Sequence, residues 1–389
     1  MTKYTYGKQW IDQKDLEAVQ DVLNSDWLTQ GPQVTEFENN LSQILSGIHF
    51  VKATAVSSGT AALHVLAKAM GWKEGDVIIT TPLSFVATSN CILYVGAEVE
   101  FVDILPNTGG IDPQLVANKV QELLNANRNV VAIIAVEYAG IPCEWDALLQ
   151  IAQKYNLKLI SDSCHSLGAK LNHSASYISE YCDAQILSFH PLKHITTGEG
   201  GAIVTKNTEL HQKCQLFRSH GITKNPSTLI RNDQGPWYYE MHELGFNYRI
   251  TDLQCALGNS QLQKLDFFIE QRQKGAAFYQ NAFKDSEYIQ FLKGTDGSAW
   301  HLFPIFVPAK HRKALYIYLS ENNIFCQVHY FPIHLQPYYQ QKMNSQWGDF
   351  PKCEEFYNST ISIPLHPGLN IPDYEYISGK VKNFFLNIS

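Results

Sequence analysis

Seven short runs of apolar, largely β-branched residues punctuate the first half of the chain, at 51–56, 77–81, 99–103, 130–136, 157–161, 185–189 and 202–205. Runs of this length and texture predict strands covered on both faces. Between several of them the apolar positions recur at helical spacing. Leu63, Leu66, Ala67 and Met70 share one face of a helix predicted over 60–70, and Leu115, Val116, Val120 and Leu123 do so over 113–124. A further helix is predicted over 145–155. Strand and helix in alternation predict a mostly parallel α/β sheet. The connection from Phe189 to Gly201 is too short for a helical crossover, so the strand at 202–205 is predicted to run antiparallel to its partner.

After Arg249 the pattern changes. One long helix is predicted over 251–271, opened by Thr251 or Asp252 as cap. Shorter elements follow at 300–307, 310–321, 325–330 and 374–385. They read as a smaller α+β domain whose boundary falls inside the long helix. The expected division is a large domain over 1–262 and a small one over 263–389, and a chain of 389 residues is long enough for two such units. A first helix over 14–23, with Leu16, Val19 and Leu23 on one face, is expected to pack back on the small domain.

Composition adds exclusions. With 45% apolar residues, 17% charged residues and a net charge of −7, the chain is an ordinary globular protein. It has no basic stripe of the kind nucleic-acid binding requires. An anionic substrate must therefore be held by a local site. The first fifteen residues are polar and charged, unlike a signal peptide, and no run approaches the roughly eighteen apolar residues that span a bilayer. The eight cysteines never form a CxxC pair. They read as reduced thiols of a cytoplasmic protein and argue against a metal centre.

Four segments carry candidate chemistry. Ser188 to Gly201 delivers Lys193 into a glycine-bounded loop between two strands, a confined setting that disfavours an ammonium and suits Schiff-base chemistry. Ser57-Ser58-Gly59-Thr60 joins a strand to a helix start, where free N–H groups and the helix dipole can cradle a phosphate; Ser or Thr there can equally be a plain helix cap. Asp162 ends an apolar strand, at the edge where open α/β sheets bind ligands, and can hold a pyridinium nitrogen or cap a helix. Phe85, in 82–90, can form a platform for a flat ring or lie in the core. Together these are the parts of a site for pyridoxal 5′-phosphate, whose ring is an electron sink.

On these motifs the chain resembles the DegT/DnrJ/EryC1/StrS sugar aminotransferases. Further markers are Trp27-Leu28-Thr29-Gln30-Gly31-Pro32, Tyr138-Ala139-Gly140, Gly245-Phe246-Asn247-Tyr248-Arg249 and Val328-His329-Tyr330-Phe331-Pro332-Ile333-His334. The resemblance covers essentially the whole chain and implies fold type I of the pyridoxal phosphate enzymes, with a seven-stranded, mostly parallel sheet. It makes Lys193 the Schiff-base lysine and Asp162 the partner of the ring nitrogen. It places His165 near the ring hydroxyl, stacks Phe85 on the ring, and gives the phosphate to Ser58, Gly59, Thr60 and Ser188. Asn247 would reach the cofactor of a partner subunit, implying a homodimer with shared sites. Arg249, His329, Tyr330 and His334 are candidate substrate contacts, with an interface or core role as the alternative for each.

Within the family, Ser161-Asp162-Ser163, Lys193 to Thr197, Phe217 to Ile222 and Gln327 to Tyr330 are similar to the branch that makes the pseudaminic acid precursor. The implied reaction moves the amino group of L-glutamate to C4 of a UDP-linked 4-keto-6-deoxy-N-acetyl-hexosamine of β-L-arabino configuration. Its product is UDP-4-amino-4,6-dideoxy-N-acetyl-β-L-altrosamine. Two positions depart from the common family pattern. Ser161 stands where many members have Glu, a feature shared by this branch, and Cys164 fills a place usually held by Ala or Ser. The alternatives are a sister aminotransferase acting on another UDP- or dTDP-keto sugar, such as the bacillosamine precursor, a pyridoxamine-dependent sugar dehydratase, and a cofactor-bound sensor. The dehydratase branch carries histidine in place of the lysine, so Lys193 favours transamination.

Overall fold

The computed structural model describes residues 2–172, 174, 177–231 and 233–387. A two-residue strand, β1 (Tyr4–Thr5), precedes seven longer ones: β2 (Lys52–Val56), β3 (Asp76–Thr80), β4 (Glu98–Phe101), β5 (Asn129–Val136), β6 (Lys158–Asp162), β7 (Ala184–Ser188) and β8 (Gly201–Thr205). All seven expected strands are present, within a residue or two at their ends. They form one sheet in the order β2-β8-β7-β6-β5-β3-β4. Neighbours are parallel except at β8, which runs antiparallel to both β2 and β7, as the short connection required.

The strands are apolar throughout because both faces are covered. Val77 and Ile79 of β3 enter one core while Ile78 enters the other, and Ile133 and Ile134 of β5 divide the same way. On the first face lie α2 (Pro32–Leu45), α5 (Pro113–Asn125), α6 (Trp145–Tyr155) and α7 (Ile178–Tyr181). On the second lie α3 (Gly59–Ala69), α4 (Ala87–Tyr94) and α8 (Thr208–Arg218). Burying each such aliphatic side chain contributes about 1.5–3 kcal/mol, so two full faces supply most of the drive for this layer.

Two expectations change. The long helix is broken into α9 (Asp252–Leu262) and α10 (Leu265–Phe283). Lys264 sits in the break with φ −109° and ψ 4°, its ammonium drawn to Asp12 at 2.8 Å and Asp15 at 2.7 Å. Those carboxylates belong to the start of α1 (Gln13–Leu23) and its cap. Gln261 also donates to the Trp10 carbonyl and to Asp15. The first helix therefore rests on α9 and not on the small C-terminal unit. Leu16 and Leu23, expected on its buried face, stand exposed, whereas Asp15 and Val22 are buried.

Beyond α10 a second core forms around Ala276, Tyr279 and Phe283. After the hairpin strands β9 (Ile222–Thr223) and β10 (Glu240–Met241), it contains the antiparallel sheet β11 (Gln290–Phe291), β12 (Phe303–Phe306) and β14 (Thr360–Ile363). β13 (Ile324–Phe325) pairs in parallel with β1, tying the N-terminus to this unit. Leu83, Tyr138 and Ile141 from the larger layer pack into the same core, so the two units share a wall. Among the described residues no helix is long and apolar enough to cross a membrane.

Candidate active site

The C-terminal ends of β2, β6 and β7 open into a cavity of about 730 Å³ between the two units. Its floor and walls include Ser58, Gly59, Thr60, Phe85, Asp162, His165, Ser188, Lys193, His329 and Tyr330, all singled out from the sequence. Residues distant in the chain meet here because parallel strands end on one edge of the sheet.

One wall is the turn from β2 into α3. Ser58 is the N-cap, and its Oγ accepts the Ala61 N–H at 3.0 Å, so it caps the helix and faces the cavity at once. The first-turn N–H groups of Gly59 and Thr60 lie at the positive end of α3. A Cβ on Gly59 would meet Ser188 Cβ at 3.0 Å, and one on Gly201 would meet the Ser58 carbonyl at 2.5 Å. Glycine at both positions lets the cradle close against β7 and β8. Gly59→Val is expected to weaken pyridoxal phosphate binding at least about tenfold, measured by absorbance titration.

Asp162 is the last residue of β6, and a turn follows it rather than a helix, which removes the capping role. Its Oδ2 accepts from Thr88 Oγ1 at 2.6 Å and its Oδ1 from the Cys164 N–H at 3.2 Å. Ser84 Oγ lies 2.7 Å behind Thr88 Oγ1. The carboxylate is thus buried yet held by two donors, with lone pairs left for a partner in the cavity. Phe85 is 58% exposed and 6.3 Å from the Tyr330 ring, which places it on the cavity rim and not in the core.

His165 Nε2 and the Tyr330 hydroxyl share a hydrogen bond at 3.1 Å, and the His165 ring centre lies 4.4 Å from that of His301. Among the described residues the His165 Nδ1 is buried without a partner. Burial first, and then the charge of Lys193, hold His165 and His301 well below the usual imidazole range. The same causes bring His329 down to about 3, with Nδ1 2.8 Å from Ser362 Oγ. The rings around the lysine are therefore neutral near pH 7.

Lys193 is half-buried in the loop between β7 and β8. That loop is closed by Phe189 N–H to Gly200 O at 2.9 Å and Thr197 N–H to Phe189 O at 3.0 Å. Burial lowers the Lys193 ammonium below the ordinary lysine value, against the opposing pull of Cys164 and Asp162. A primary amine so placed, beside a carboxylate and neutral imidazoles, can act as a nucleophile toward a carbonyl and as a proton carrier.

Three sequence candidates stand outside the cavity wall. His334 is fully buried, with Nε2 3.0 Å from Glu354 Oε1, a carboxylate that also takes the Gly348 and Phe350 N–H groups. Arg249 is half-buried and Asn247 exposed, the latter bridged to Ser219. Conversely, Tyr6, Thr88 and His301 line the cavity without having been singled out, and Gln327, quoted only within a marker segment, lines it too. Thr88 carries a readable signal, one helical turn after Phe85. His301 comes from a segment whose approach depends on the packing of the small unit, and no local pattern marks it.

Comparison with known proteins agrees with this geometry. Residues 9–382 match the model of the DegT/DnrJ/EryC1/StrS aminotransferase family. The chain is 37% identical over 378 residues to a UDP-4-amino-4,6-dideoxy-N-acetyl-beta-L-altrosamine transaminase of Campylobacter jejuni, covering 96% of this chain and 95% of the relative. Its structure is similar to that of Helicobacter pylori PseC, an aminotransferase involved in the biosynthesis of pseudoaminic acid. The TM-score is 0.89 at 34% identity, with 99% of this chain and 100% of that one covered. It is also similar to NtdA of Bacillus subtilis with bound cofactor PMP, at TM-score 0.83 and 27% identity over 96% and 82% of the two chains. The chain belongs to the DegT/DnrJ/EryC1/StrS aminotransferase family.

Proposed function

We propose that this protein is a pyridoxal 5′-phosphate-dependent aminotransferase. It passes the amino group of L-glutamate to C4 of a UDP-linked 4-keto-6-deoxy-N-acetyl-hexosamine, giving UDP-4-amino-4,6-dideoxy-N-acetyl-β-L-altrosamine. The observation that carries the reading is that Lys193 and Asp162 open on one cavity whose wall is the N-terminus of α3. The transaminase relatives support the substrate class.

The residues fit that cofactor. The glycine cradle at Gly59, with Ser58, Thr60 and Ser188, matches a phosphate. Asp162 matches a ring nitrogen, the orphaned Nδ1 of His165 matches a polar ring substituent, and Phe85 offers an apolar face. Lys193 would hold the aldehyde carbon. Bound there, the cofactor supplies an electron sink for the charge left when a proton departs from glutamate Cα. The protein's own share is proton handling and orientation. The Lys193 amine takes that proton and returns it, Asp162 keeps the ring nitrogen protonated, and the neutral histidines leave Lys193 as the group that accepts a proton. His329 and Tyr330 stand where they can meet the sugar, and Arg249 remains a candidate for an anionic group of either substrate. The division into units 1–262 and 263–389 belongs to the same proposal, the second supplying His301, His329 and Tyr330.

A homodimer with shared sites is part of this reading. Ile230 is 83% exposed and Trp237 76%, with Met241 and Leu244 beside them in sequence also exposed, a set that a second copy would cover. Asn247 is exposed and outside its own cavity, as a residue reaching the partner's cofactor must be. Trp237→Asp is expected to shift the sedimentation coefficient toward a monomer and to lower cofactor retention with it. A cytoplasmic location is supported by the eight cysteines, all free thiols.

The deciding experiment supplies glutamate and the keto-sugar made by a 4,6-dehydratase–epimerase, and reads the amine configuration at C4 by NMR. The expected product carries the amine of the altrosamine. An inert mixture that turns over with a different keto-sugar would instead favour the sister aminotransferase.

A further inference from the structure

Glu137 follows the last residue of β5 and is fully buried, and among the described residues no cation pairs with its carboxylate. Its Oε1 accepts from Trp145 Nε1 at 3.0 Å and from the Tyr177 hydroxyl at 2.6 Å. Its Oε2 accepts from Ser163 Oγ at 3.1 Å and from Ser166 Oγ. Burial raises Glu137 above the usual carboxylate range, and the four donors oppose that rise. A carboxylate has acceptor sites for all four donors, whereas the oxygen of a glutamine has two.

Two of these donors belong to the turn that leaves β6. Asp162 and His165, which both line the large cavity, lie in that stretch. The Glu137 N–H also donates to the Asp162 carbonyl at 3.2 Å, so Glu137 holds the stretch at residues 162, 163 and 166. Between those points, the Cys164 N–H is one of the two donors that orient the Asp162 carboxylate. Ser161 Oγ, 2.6 Å from Ser163 Oγ, extends the network along β6.

The next three residues hold the other side of the cavity. The Tyr138 hydroxyl donates to the His329 carbonyl at 2.7 Å. The Ala139 carbonyl accepts the His301 N–H at 2.9 Å, and the Gly140 carbonyl accepts the Ala299 N–H at 2.8 Å. Ala139 has φ 58°, Gly140 85° and Trp300 48°, all left-handed. Alanine and tryptophan keep such a backbone only where the surroundings over-determine it. A Cβ on Gly140 would meet the His165 carbonyl at 2.5 Å and the Trp300 nitrogen at 2.9 Å. Four consecutive residues therefore grip the segments that bring His165, His301 and His329 to the cavity.

We infer that the segment 137–140 is the positioning element of this site: the Glu137 carboxylate fixes the turn that carries Asp162 and His165 for the cofactor, and the Tyr138 hydroxyl fixes His329 for the sugar. This rests on the proposed reading of the cavity as the cofactor and sugar site.

The test compares two variants that each remove one hydroxyl donor from the same carboxylate. Ser166→Ala takes a donor from the turn, and Tyr177→Phe takes one from outside it. If the carboxylate served only core stability, both variants would melt earlier and their cofactor affinities would match. Positioning instead expects Ser166→Ala to weaken pyridoxal phosphate binding about fivefold by absorbance titration, with Tyr177→Phe within about twofold of wild type. Tyr138→Phe is expected to raise the KM for the keto-sugar about fivefold. Equal cofactor affinities in Ser166→Ala and Tyr177→Phe overturn the inference, and so does a wild-type KM in Tyr138→Phe. Should Ser166→Ala not fold, Ser163→Ala takes its place. A second measurement is amide hydrogen exchange over 162–168 in the cofactor-free protein. Faster exchange in Ser166→Ala than in Tyr177→Phe is expected, and equal exchange overturns the inference. If wild type develops no lysine-bound absorbance band, the cofactor reading fails by itself and the exchange comparison decides the positioning role.

Discussion

Lys193→Ala is expected to lose the visible absorbance of lysine-bound pyridoxal phosphate and to lower turnover with glutamate and keto-sugar by at least about 10³-fold. Two tasks fall on one Nζ. It is the amine that would hold the cofactor's aldehyde carbon, and it is the group that would carry the proton at glutamate Cα. His194 is adjacent in sequence, but its ring is buried against the Ala299 carbonyl at 3.1 Å and held well below the imidazole range, so it cannot substitute. The loop should keep its shape, because its closing hydrogen bonds run through Phe189, Thr196, Thr197 and Gly200 and not through the lysine side chain. An unchanged melting temperature with lost absorbance would separate chemistry from folding. Activity within tenfold of wild type would remove Lys193 from the reaction.

The second large effect belongs to Asp162→Asn. The amide has nearly the shape of the carboxylate and can still accept from Thr88 Oγ1, so the cavity floor is kept while its negative charge goes. A ring nitrogen facing it then has no ionised partner, and the electron sink is weakened. Preorganised electrostatic partners of this kind are each worth roughly 10²–10³-fold, which is the expected loss in kcat. Thr88→Val should cost less, since it removes a donor that orients the carboxylate and leaves the charge. Faster turnover by Thr88→Val than by Asp162→Asn, with cofactor retention measured alongside, is the expected outcome. A fully active Asp162→Asn variant would show that ring protonation is not set from this position.

Much of this site is legible in the chain because it is built from strand ends. Asp162, Ser188 and Ser58 each follow an apolar run, and parallel strands oblige such residues to collect on one edge. Lys193 is legible for a related reason, as a glycine-bounded loop between two runs can only lie at that edge. What the pattern does not reveal depends on distant partners. His329 and His334 belong to one aromatic stretch, yet the first lines the cavity and the second is taken by Glu354. Leu16 and Leu23 follow helical spacing but remain exposed, because Lys264 and Gln261 draw Asp15 inward instead. The same ion pairs mark the break between α9 and α10, which apolar spacing alone reads as continuous. His301 reaches the Lys193 cavity and the His165 ring only after the C-terminal unit has packed, so no window of sequence contains the contact.

Strand β8 lies between β2 and β7, with Val56 facing Gly201 and Ser188 facing that same glycine from the other side. During translation the nascent chain therefore exposes β2 and the turn into α3 long before the strand that joins them to the sheet leaves the ribosome. If the turn at Ser58 holds the cofactor phosphate as proposed, the vitamin would be captured only late in synthesis, and a product truncated before β8 would lack Gly201, against which that turn closes.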